Sequence, residues 1–442
     1  MNSARYIAAI EIGSSKITGA VGRTREGNQL DVLAVESDNT EECVRYGEIQ
    51  NLEEATMRIR RVLDKLERKP EVAPRKITGV YVALSGRSLR SISAEVELHL
   101  PEETEITEGI LDTLREKALN TPVNANLEVV DAVPRSFRID KIETRSPKGA
   151  LGKDIFAVYD IIVCRPDLRR KLTRALPEKL GIRNEGFVVT AMATGHLLLS
   201  PEEKRLGCML VDMGAETTTV SIYKSGHLRF FATLPLGGRN ITRDLTSLGM
   251  LEERAEEIKR ASGNALSIES GSSINLNGVK YSDVNNITVA RAEEIVTNIR
   301  ETIEYAGLSE KDLPGGIVCI GGGSKLNGIM ELISNKTSLP ARRGQMPPYV
   351  RLEDMRLPSS DCIQVACCLY EGATINDAEC LEAPKREGVP VSGVPNAGEE
   401  PEEPEPEREK SGGKRRRSLF DRMKQGIAGY FSADDEGDSE LD

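Results

Sequence analysis

The sequence predicts an α/β protein of two lobes followed by a non-globular C-terminal segment, and three observations support this prediction. At 442 residues, the chain exceeds what one hydrophobic core usually supports. Up to about residue 382, strand-like apolar runs alternate with helical patterns, which is typical of α/β folds. The stretch "AAIEIGSSKIT" near the start resembles "MLVDMGAETTTV" further along, so that Glu11 and Gly13 match Asp212 and Gly214. We therefore expect one such β-hairpin in each lobe.

The composition argues against several classes of function. The formal net charge is −11, which argues against nonspecific nucleic-acid binding by the globular part. The eight cysteines contain no CxxC pair and only three histidines are present, which argues against a zinc site and a disulfide framework. No segment approaches 18 uninterrupted apolar residues, and the N-terminus shows no signal-peptide pattern. We expect a reduced, cytoplasmic protein.

The two hairpins have the residue types that a phosphate site needs. A bound phosphate requires backbone N–H donors, small side chains and usually a hydrated divalent cation. The candidates are Gly13, Ser14, Ser15 and Lys16 in the first hairpin, and Asp212, Gly214 and Thr217 in the second. Glu11 and Asp212, each at the end of a strand, would hold Mg²⁺ through its waters. Alternatively, both segments are tight β-hairpins whose small residues serve turn geometry alone.

Two further segments fit the nucleoside part of a nucleotide. In "GGIVCIGGGSKLNGIMELI", a buried strand is followed by Gly321, Gly322 and Gly323, which would let a base or ribose lie against the backbone. This segment lacks the P-loop pattern and is a poor dinucleotide-binding fingerprint. In "RAEEIKRASGNA", Glu256 and Lys259 lie three apart on one helical face and could reach an adenosine. Such a pair is also common on solvated helices.

The order and spacing of these segments resemble the superfamily of actin, sugar kinases and heat-shock ATPases. Three further stretches narrow the resemblance: "VVDAVPRSFRID", "SPKGALGKDIFAVYDIIV" and "PLGGRNITRDL". They are similar to segments of FtsA, the actin-like bacterial cell-division family. The resemblance covers residues 5 to about 380 and returns in the basic segment near the C-terminus.

This resemblance implies an actin-like fold with an inserted subdomain that is specific to FtsA. The implied parts are a first lobe core at 1–77 with 181–200 and about 350–382, the insertion at 78–180, a second lobe core at 201–234 and 306–349, and an outer subdomain at 235–305. It also implies that ATP and Mg²⁺ bind between the lobes, with Glu256, Lys259 and Gly321 to Gly323 lining the adenosine side.

One position departs from the family pattern. The first loop of the family carries Asp where this chain has Glu11, and the longer side chain would disturb the hydration of the cation. We therefore expect ATP binding with weak hydrolysis at most. No general base is evident, because His196 and His227 fit structural roles better. The protein is expected to act as a scaffold rather than as an enzyme.

The C-terminal region has a different composition from the lobes. Residues 383–413 are rich in Pro, Gly and Glu, which predicts a disordered linker, and 433–442 form an acidic tail. Between them, 414–432 predict an amphipathic membrane-targeting helix whose large apolar residues fall within one third of a helical wheel. These apolar residues are Leu419, Phe420, Met423, Ile427, Tyr430 and Phe431, and the flanking cations are Arg415, Arg416, Arg417, Arg422 and Lys424. The alternative partners of this segment are a groove on another protein and a nucleic acid.

The resemblance also implies partners and a location. FtsA proteins form filaments at the cytoplasmic face of the plasma membrane at the division site, bind anionic lipids and tether the C-terminal peptide of the tubulin-like protein FtsZ. Later division proteins are further implied partners. Arg291 and Arg300, in the outer subdomain, are the candidate residues for the FtsZ peptide. Two other functions stay open: a small-molecule kinase of the same superfamily and an actin-like pilus-assembly ATPase.

Overall fold

The computed structural model describes residues 4–144, 146–267, 275–276, 278–353 and 359–383. The amphipathic segment 414–432, the acidic tail and all but the first residue of the predicted linker lie outside the described residues. Within the described ranges, no helix combines the length and apolar character that crossing a membrane would need. The predicted α/β fold with two lobes is confirmed.

Strands and helices alternate along most of the chain. The strands are β1 (Tyr6–Ile12), β2 (Lys16–Arg25), β3 (Gln29–Asn39), β4 (Val44–Arg45), β5 (Glu48–Ile49), β6 (Lys76–Ile77), β7 (Gly79–Leu84), β8 (Arg90–Glu105), β9 (Glu128–Ile139), β10 (Ile142–Thr144), β11 (Leu151–Cys164), β12 (Arg183–Val189), β13 (Cys208–Met213), β14 (Thr218–Lys224), β15 (His227–Leu234), β16 (Asn275–Leu276), β17 (Val279–Lys280), β18 (Ile317–Ile320), β19 (Ala341–Arg343), β20 (Val350–Leu352) and β21 (Leu381–Glu382). The helices are α1 (Leu52–Glu67), α2 (Glu108–Leu119), α3 (Pro166–Thr173), α4 (Thr190–Leu198), α5 (Pro201–Leu206), α6 (Gly238–Leu245), α7 (Glu252–Ser262), α8 (Tyr281–Tyr305), α9 (Ile329–Thr337) and α10 (Ile363–Ile375).

The first lobe is built on a six-stranded sheet in the order β12-β7-β1-β2-β3-β20. Strand β2 runs antiparallel to its neighbours β1 and β3, and β7 lies parallel to β1. Residues 7–10 of β1 are all buried, as expected for a strand covered on both faces. Helices α1 and α10 pack against this sheet and bury its apolar side chains.

The inserted subdomain is smaller than predicted. Strands β8, β9 and β11 form an antiparallel sheet that shares a hydrophobic core with α2. The predicted boundaries of 78–180 are too wide at both ends. At the start, β7 is buried along its whole length and pairs with β1 in the first sheet. At the end, Leu168 and Leu172 of α3 belong to the core of the first lobe. The insertion therefore runs from β8 to β11.

The second lobe contains strands in the order β15-β14-β13-β18-β19. One residue pair, Ala232 with Arg90, joins this sheet to the inserted sheet. Helices α6 to α9 pack against it in a single hydrophobic core, in which Leu245 and Ile295 belong to the same cluster as Val211. The predicted outer subdomain at 235–305 is thus not separated from the lobe by a core of its own.

Helices α4 and α5 lead from the first lobe into the second. Helix α5 begins with a capping box, because the Ser200 hydroxyl accepts from the Glu203 N–H while the Glu203 carboxylate accepts from the Ser200 N–H. The chain then enters β13 and returns to the first lobe through β20 and α10. The ends of β1 and β13 lie close together, because Glu11 interacts with Asp212, and the cleft between the lobes lies next to them.

Candidate functional site

The two predicted hairpins have the same strand register in the structure. In β1 and β2, Glu11 lies opposite Thr18. In β13 and β14, Asp212 lies opposite Thr219. Each carboxylate is therefore the second residue from the end of its strand and projects from an equivalent position. The internal repeat predicted from the sequence is confirmed.

The turns of the two hairpins are also equivalent. The Gly13 N–H donates to the Lys16 carbonyl at 3.0 Å, and the Gly214 N–H donates to the Thr217 carbonyl at 2.8 Å. A Cβ atom added at Gly13 would lie 3.0 Å from the Lys16 carbonyl oxygen, and one added at Gly214 would lie 2.9 Å from the Thr217 carbonyl oxygen. A side chain at either position would therefore disturb its turn. Each lobe thus presents one glycine-initiated turn directly after its carboxylate.

Glu11 and Asp212 interact across the cleft. Burial, and next the negative charge of Asp212, raise the pKa of Glu11 from 4.5 to about 7, although Lys16 opposes this. Burial also raises the pKa of Asp212 to about 6, although a hydrogen bond from Gln364 Nε2 at 3.2 Å acts to lower it. Two poorly hydrated carboxylates in one cleft favour a bound cation. Among the described residues, no group of three or more His, Cys, Asp and Glu side chains could hold a metal. A pair of carboxylates nevertheless fits Mg²⁺, which keeps several waters when it binds with phosphates.

The three glycines after β18 have different neighbours. Gly321 has φ of +83°, and an added Cβ would lie 2.4 Å from Asp212 Oδ1. An added Cβ at Gly323 would lie 2.9 Å from the Cβ of Met213. These two glycines therefore let the turn pack against the second hairpin. Only Gly322 has no atom within 4 Å of an added Cβ, so it alone leaves open space of the kind predicted for a base or ribose.

The predicted adenosine ligands Glu256 and Lys259 bind the start of α6. Lys259 Nζ donates to the Gly238 carbonyl and to Thr242 Oγ1, both at 2.9 Å, and it pairs with Glu256. Burial alone would raise the pKa of Glu256, but Lys259 and hydrogen bonds from Thr242 and Arg260 lower it to about 2. This network therefore holds α7 on α6.

Gly237 and Gly238 belong to the site, although they are not among the site residues predicted from the sequence. The Gly238 N–H donates to the Gly214 carbonyl at 2.9 Å. A Cβ at Gly237 would lie 2.7 Å from the same carbonyl oxygen. The first residues of α6 thus fix the second hairpin. The signal was present in the sequence, because two adjacent glycines precede the helical pattern in "PLGGRNITRDL".

The predicted phosphate ligands of the first hairpin also have partners in the protein. Ser14 is buried and its Oγ accepts from the Gly47 N–H at 2.8 Å. Lys16 Nζ donates to the Asp361 carbonyl at 3.0 Å, whereas Ser15 is exposed. Thr217 of the second hairpin is half-buried. Both hairpins are therefore held by the surrounding structure and are not loose loops.

A cavity of about 370 Å³ lies beside the glycine turn and is lined by cationic side chains that were not predicted from the sequence. Lys325 and Arg343 line it together with Gly321. Burial first, and then the positive charges of neighbours including Lys16 and Arg343, lower the pKa of Lys325. The cationic side chains of Lys325 and Arg343 thus lie on this side of the cleft, although Asp361 pairs with Lys325. The cavity could accept an anionic ligand.

The remaining candidates lie away from the carboxylate pair. Arg291 Nε donates to Asp244 Oδ2 at 2.6 Å and its guanidinium also pairs with Glu294, so the structure places it in an ion-pair network between α6 and α8. Arg300 is exposed on the same helix. His196 lies within α4 and pairs with Glu371, which agrees with the structural role expected for it.

Two family models match the chain. One, described as "Cell division protein FtsA", matches residues 209–360. The other, described as "SHS2 domain inserted in FTSA", matches residues 86–163, which nearly coincide with the inserted sheet and its helix.

Similar proteins include two curated relatives and one solved structure. A "Cell division protein FtsA" from Porphyromonas gingivalis is 32% identical over 335 residues, which are 73% of this chain and 69% of the relative. Another from Bacillus subtilis is 28% identical over 385 residues, which are 83% and 84% of the two chains. The structure titled "PilM-PilN type IV pilus biogenesis complex" has a TM-score of 0.59 at 18% identity and covers 83% of this chain and 98% of that one. At this identity the likeness shows the actin-like fold alone.

Gly321→Ala is expected to destabilise the protein, because the new Cβ would collide with Asp212 at a positive φ. A left-handed conformation costs a non-glycine residue about 1–2 kcal/mol, and the collision adds to this. Chemical denaturation measures the change. Gly322→Ala is the matched control, since its added Cβ meets nothing within 4 Å. Equal losses of stability in the two variants would contradict the packing described for Gly321.

Glu256→Gln is expected to lower the free energy of unfolding in a pH-dependent way. The folded-state pKa lies below the ordinary value of 4.5, so the charged carboxylate stabilises the fold above that value. This contribution is lost as the pH falls from 4.5 towards about 2, and the gap between wild type and variant should close over that range. Denaturation at several pH values measures the gap. Glu257→Gln, at an exposed position, is the control, and a gap that is independent of pH would contradict the prediction.

Proposed function

Because this chain belongs to the FtsA family of cell-division proteins, we propose that it binds ATP between its lobes and forms filaments at the cytoplasmic face of the plasma membrane. The observation that carries the nucleotide proposal is the pair of equivalent hairpins, one from each lobe, whose carboxylates interact across the cleft. Two equivalent turns that face one cleft are suited to hold a chain of phosphates from both sides.

Each part of the site has a role in this proposal. The backbone N–H groups of both turns, other than those of Gly13 and Gly214 that bind within their turns, would bind the phosphates. Glu11 and Asp212 would hold Mg²⁺ through its waters. The bound cation would neutralise phosphate charge. Lys325 and Arg343, beside the cavity next to the glycine turn, add positive charge to the anionic ligand's surroundings. Gly322 leaves room for the nucleoside, whereas Glu256 and Lys259 act indirectly by holding α7 on α6.

We propose that hydrolysis is slow or absent. Glu11 is one methylene longer than the aspartate of the family pattern, and it shares a poorly hydrated cleft with Asp212. His196 is engaged in a pair with Glu371. The protein would then use ATP to hold a conformation rather than to perform chemistry. This role suits a scaffold in cell division.

The membrane part of the proposal rests on the sequence pattern of 414–432, which lies outside the described residues. Strand β21 pairs with β6, so the last described residues are attached to the first lobe. One amphipathic segment would bind lipid weakly, because ordering it costs on the order of 1–2 kcal/mol per residue. Many segments arrayed on a filament would bind firmly through their high effective concentration.

The partner of the filament is proposed to be the C-terminal peptide of FtsZ, bound on the face that α8 presents. Arg300 is exposed and available to an acidic peptide. Arg291 would have to exchange its ion pairs with Asp244 and Glu294 for the peptide. Arg300 is therefore the stronger candidate of the two. Later division proteins would bind the assembled filament.

Asp212→Asn is expected to weaken Mg²⁺-dependent binding of a fluorescent ATP analogue by about tenfold or more, because a charged ligand of the cation is lost. The amide keeps an oxygen that can still accept from Gln364, so the fold is expected to be retained. Glu304→Gln, at an exposed position on α8, is the control. The absence of saturable analogue binding by the wild-type protein would overturn the nucleotide proposal.

Phe420→Asp is expected to release the full-length protein from anionic vesicles. Burial of a large apolar side chain contributes about 1.5–3 kcal/mol, so its loss costs more than tenfold in binding. Co-sedimentation with anionic and neutral vesicles, with and without ATP, measures the effect. Gln425→Asp adds the same charge on the polar side of the predicted helix and should bind more tightly than Phe420→Asp. Equal binding of Phe420→Asp and wild type would contradict the lipid assignment.

A further inference from the structure

Glu216 is a buried carboxylate at the turn of the second hairpin. Its side chain is 1% exposed, and it lies between Gly214 and Thr217 in the chain. A buried charge is retained only where it is paired and hydrogen-bonded, because removal from water is costly. The partners of Glu216 come from both lobes.

The first lobe reaches Glu216 through the turn between β4 and β5, called here the 45–47 turn. Arg45 Nε donates to Glu216 Oε1 at 2.9 Å. The backbone N–H of Tyr46 donates to Glu216 Oε2 at 2.8 Å. Both carboxylate oxygens are therefore bound by a segment of the opposite lobe.

The second lobe reaches the same carboxylate through α6. Arg243 Nη2 donates to Glu216 Oε1 at 2.7 Å, and Arg239 Nη1 donates at 3.4 Å. The backbone N–H of Arg239 also donates to the backbone carbonyl of Ala215 at 2.7 Å. The hairpin turn is thus tied to its own lobe by α6 and to the other lobe by the 45–47 turn.

The 45–47 turn also holds the first hairpin. The Gly47 N–H donates to Ser14 Oγ at 2.8 Å, and Ser14 is buried. Residues 45–47 therefore contact both hairpins. They contact the first hairpin through Ser14 and the second hairpin through Glu216. Lys16, at the other end of the first turn, lies instead beside Asp361. The 45–47 turn consequently bridges the two hairpins.

We propose that Glu216 and the 45–47 turn form a latch that holds the two lobes together at one end of the hairpin pair. Separation of the lobes at this point requires the contacts of Glu216 with Arg45 and Tyr46 to break. The contacts of Glu216 with α6 would remain, so the second lobe would move as a unit. The latch is a property of the fold itself and does not require a ligand.

The latch has a consequence that rests on the proposed nucleotide site. A nucleotide whose phosphates lie between the two hairpins could leave only after the hairpins separate. Glu216 is then a positioning residue, which sets how long the nucleotide stays without contacting its reactive atoms. Loss of Arg45 should speed release of the nucleotide by about tenfold, since a hydrogen bond to a charged group contributes on this scale.

The test combines a distance and a rate. Spin labels are attached at Glu71→Cys in the first lobe and Glu301→Cys in the second, both at exposed positions, while the eight native cysteines are buried. Arg45→Ala should broaden the distance distribution between the labels in the absence of nucleotide. It should also speed dissociation of a fluorescent ATP analogue by about tenfold.

Arg87→Ala is the matched control, because Arg87 stacks on the ring of Tyr46 but pairs with Glu48 rather than with Glu216. The effects of Arg45→Ala and Glu216→Gln should be smaller in combination than their sum, as expected when both changes break one contact. An unchanged distance distribution in Arg45→Ala would overturn the latch. If the wild-type protein binds no analogue, the nucleotide site fails, and the distances alone decide the latch.

Discussion

Two carboxylates of like charge, Glu11 and Asp212, face each other from opposite lobes, and the cleft is organised around this pair. Burial raises the pKa of both carboxyl groups, and the negative charge of Asp212 raises the pKa of Glu11 further. Two contacts beside the pair join the lobes. Gln364 of the first lobe donates to Asp212, and Arg45 binds Glu216 nearby.

Helix α6 connects the cleft with the outer surface of the second lobe. Its first N–H groups bind the carbonyls of the second hairpin, and Lys259 of α7 binds the Gly238 carbonyl. At its other end, Asp244 pairs with Arg291 of α8. The hairpin, α7 and α8 are therefore all attached to one short helix. The proposed nucleotide site and the proposed peptide face thus have a common support.

The sequence predicted the class of fold and the main parts of the site better than their boundaries. The period of the apolar runs and the repeated carboxylate-x-glycine pattern identified both hairpins. The predicted bounds of the insertion were too wide, because the apolar pattern of a strand such as β7 does not show which of the two sheets it joins. Gly321 and Gly323 were assigned to the nucleoside, whereas packing uses them against Asp212 and Met213.

The α/β alternation, the equivalence of Glu11 and Asp212, and the family could all be predicted before the fold was known, because they depend on residue order and short spacings. Which charges meet could not be predicted in this way. Arg45 and Glu216 are 171 residues apart in the chain, and neither lies in a motif that points to the other. Their contact arises because the lobes fold onto each other, and no local pattern records a distance between lobes.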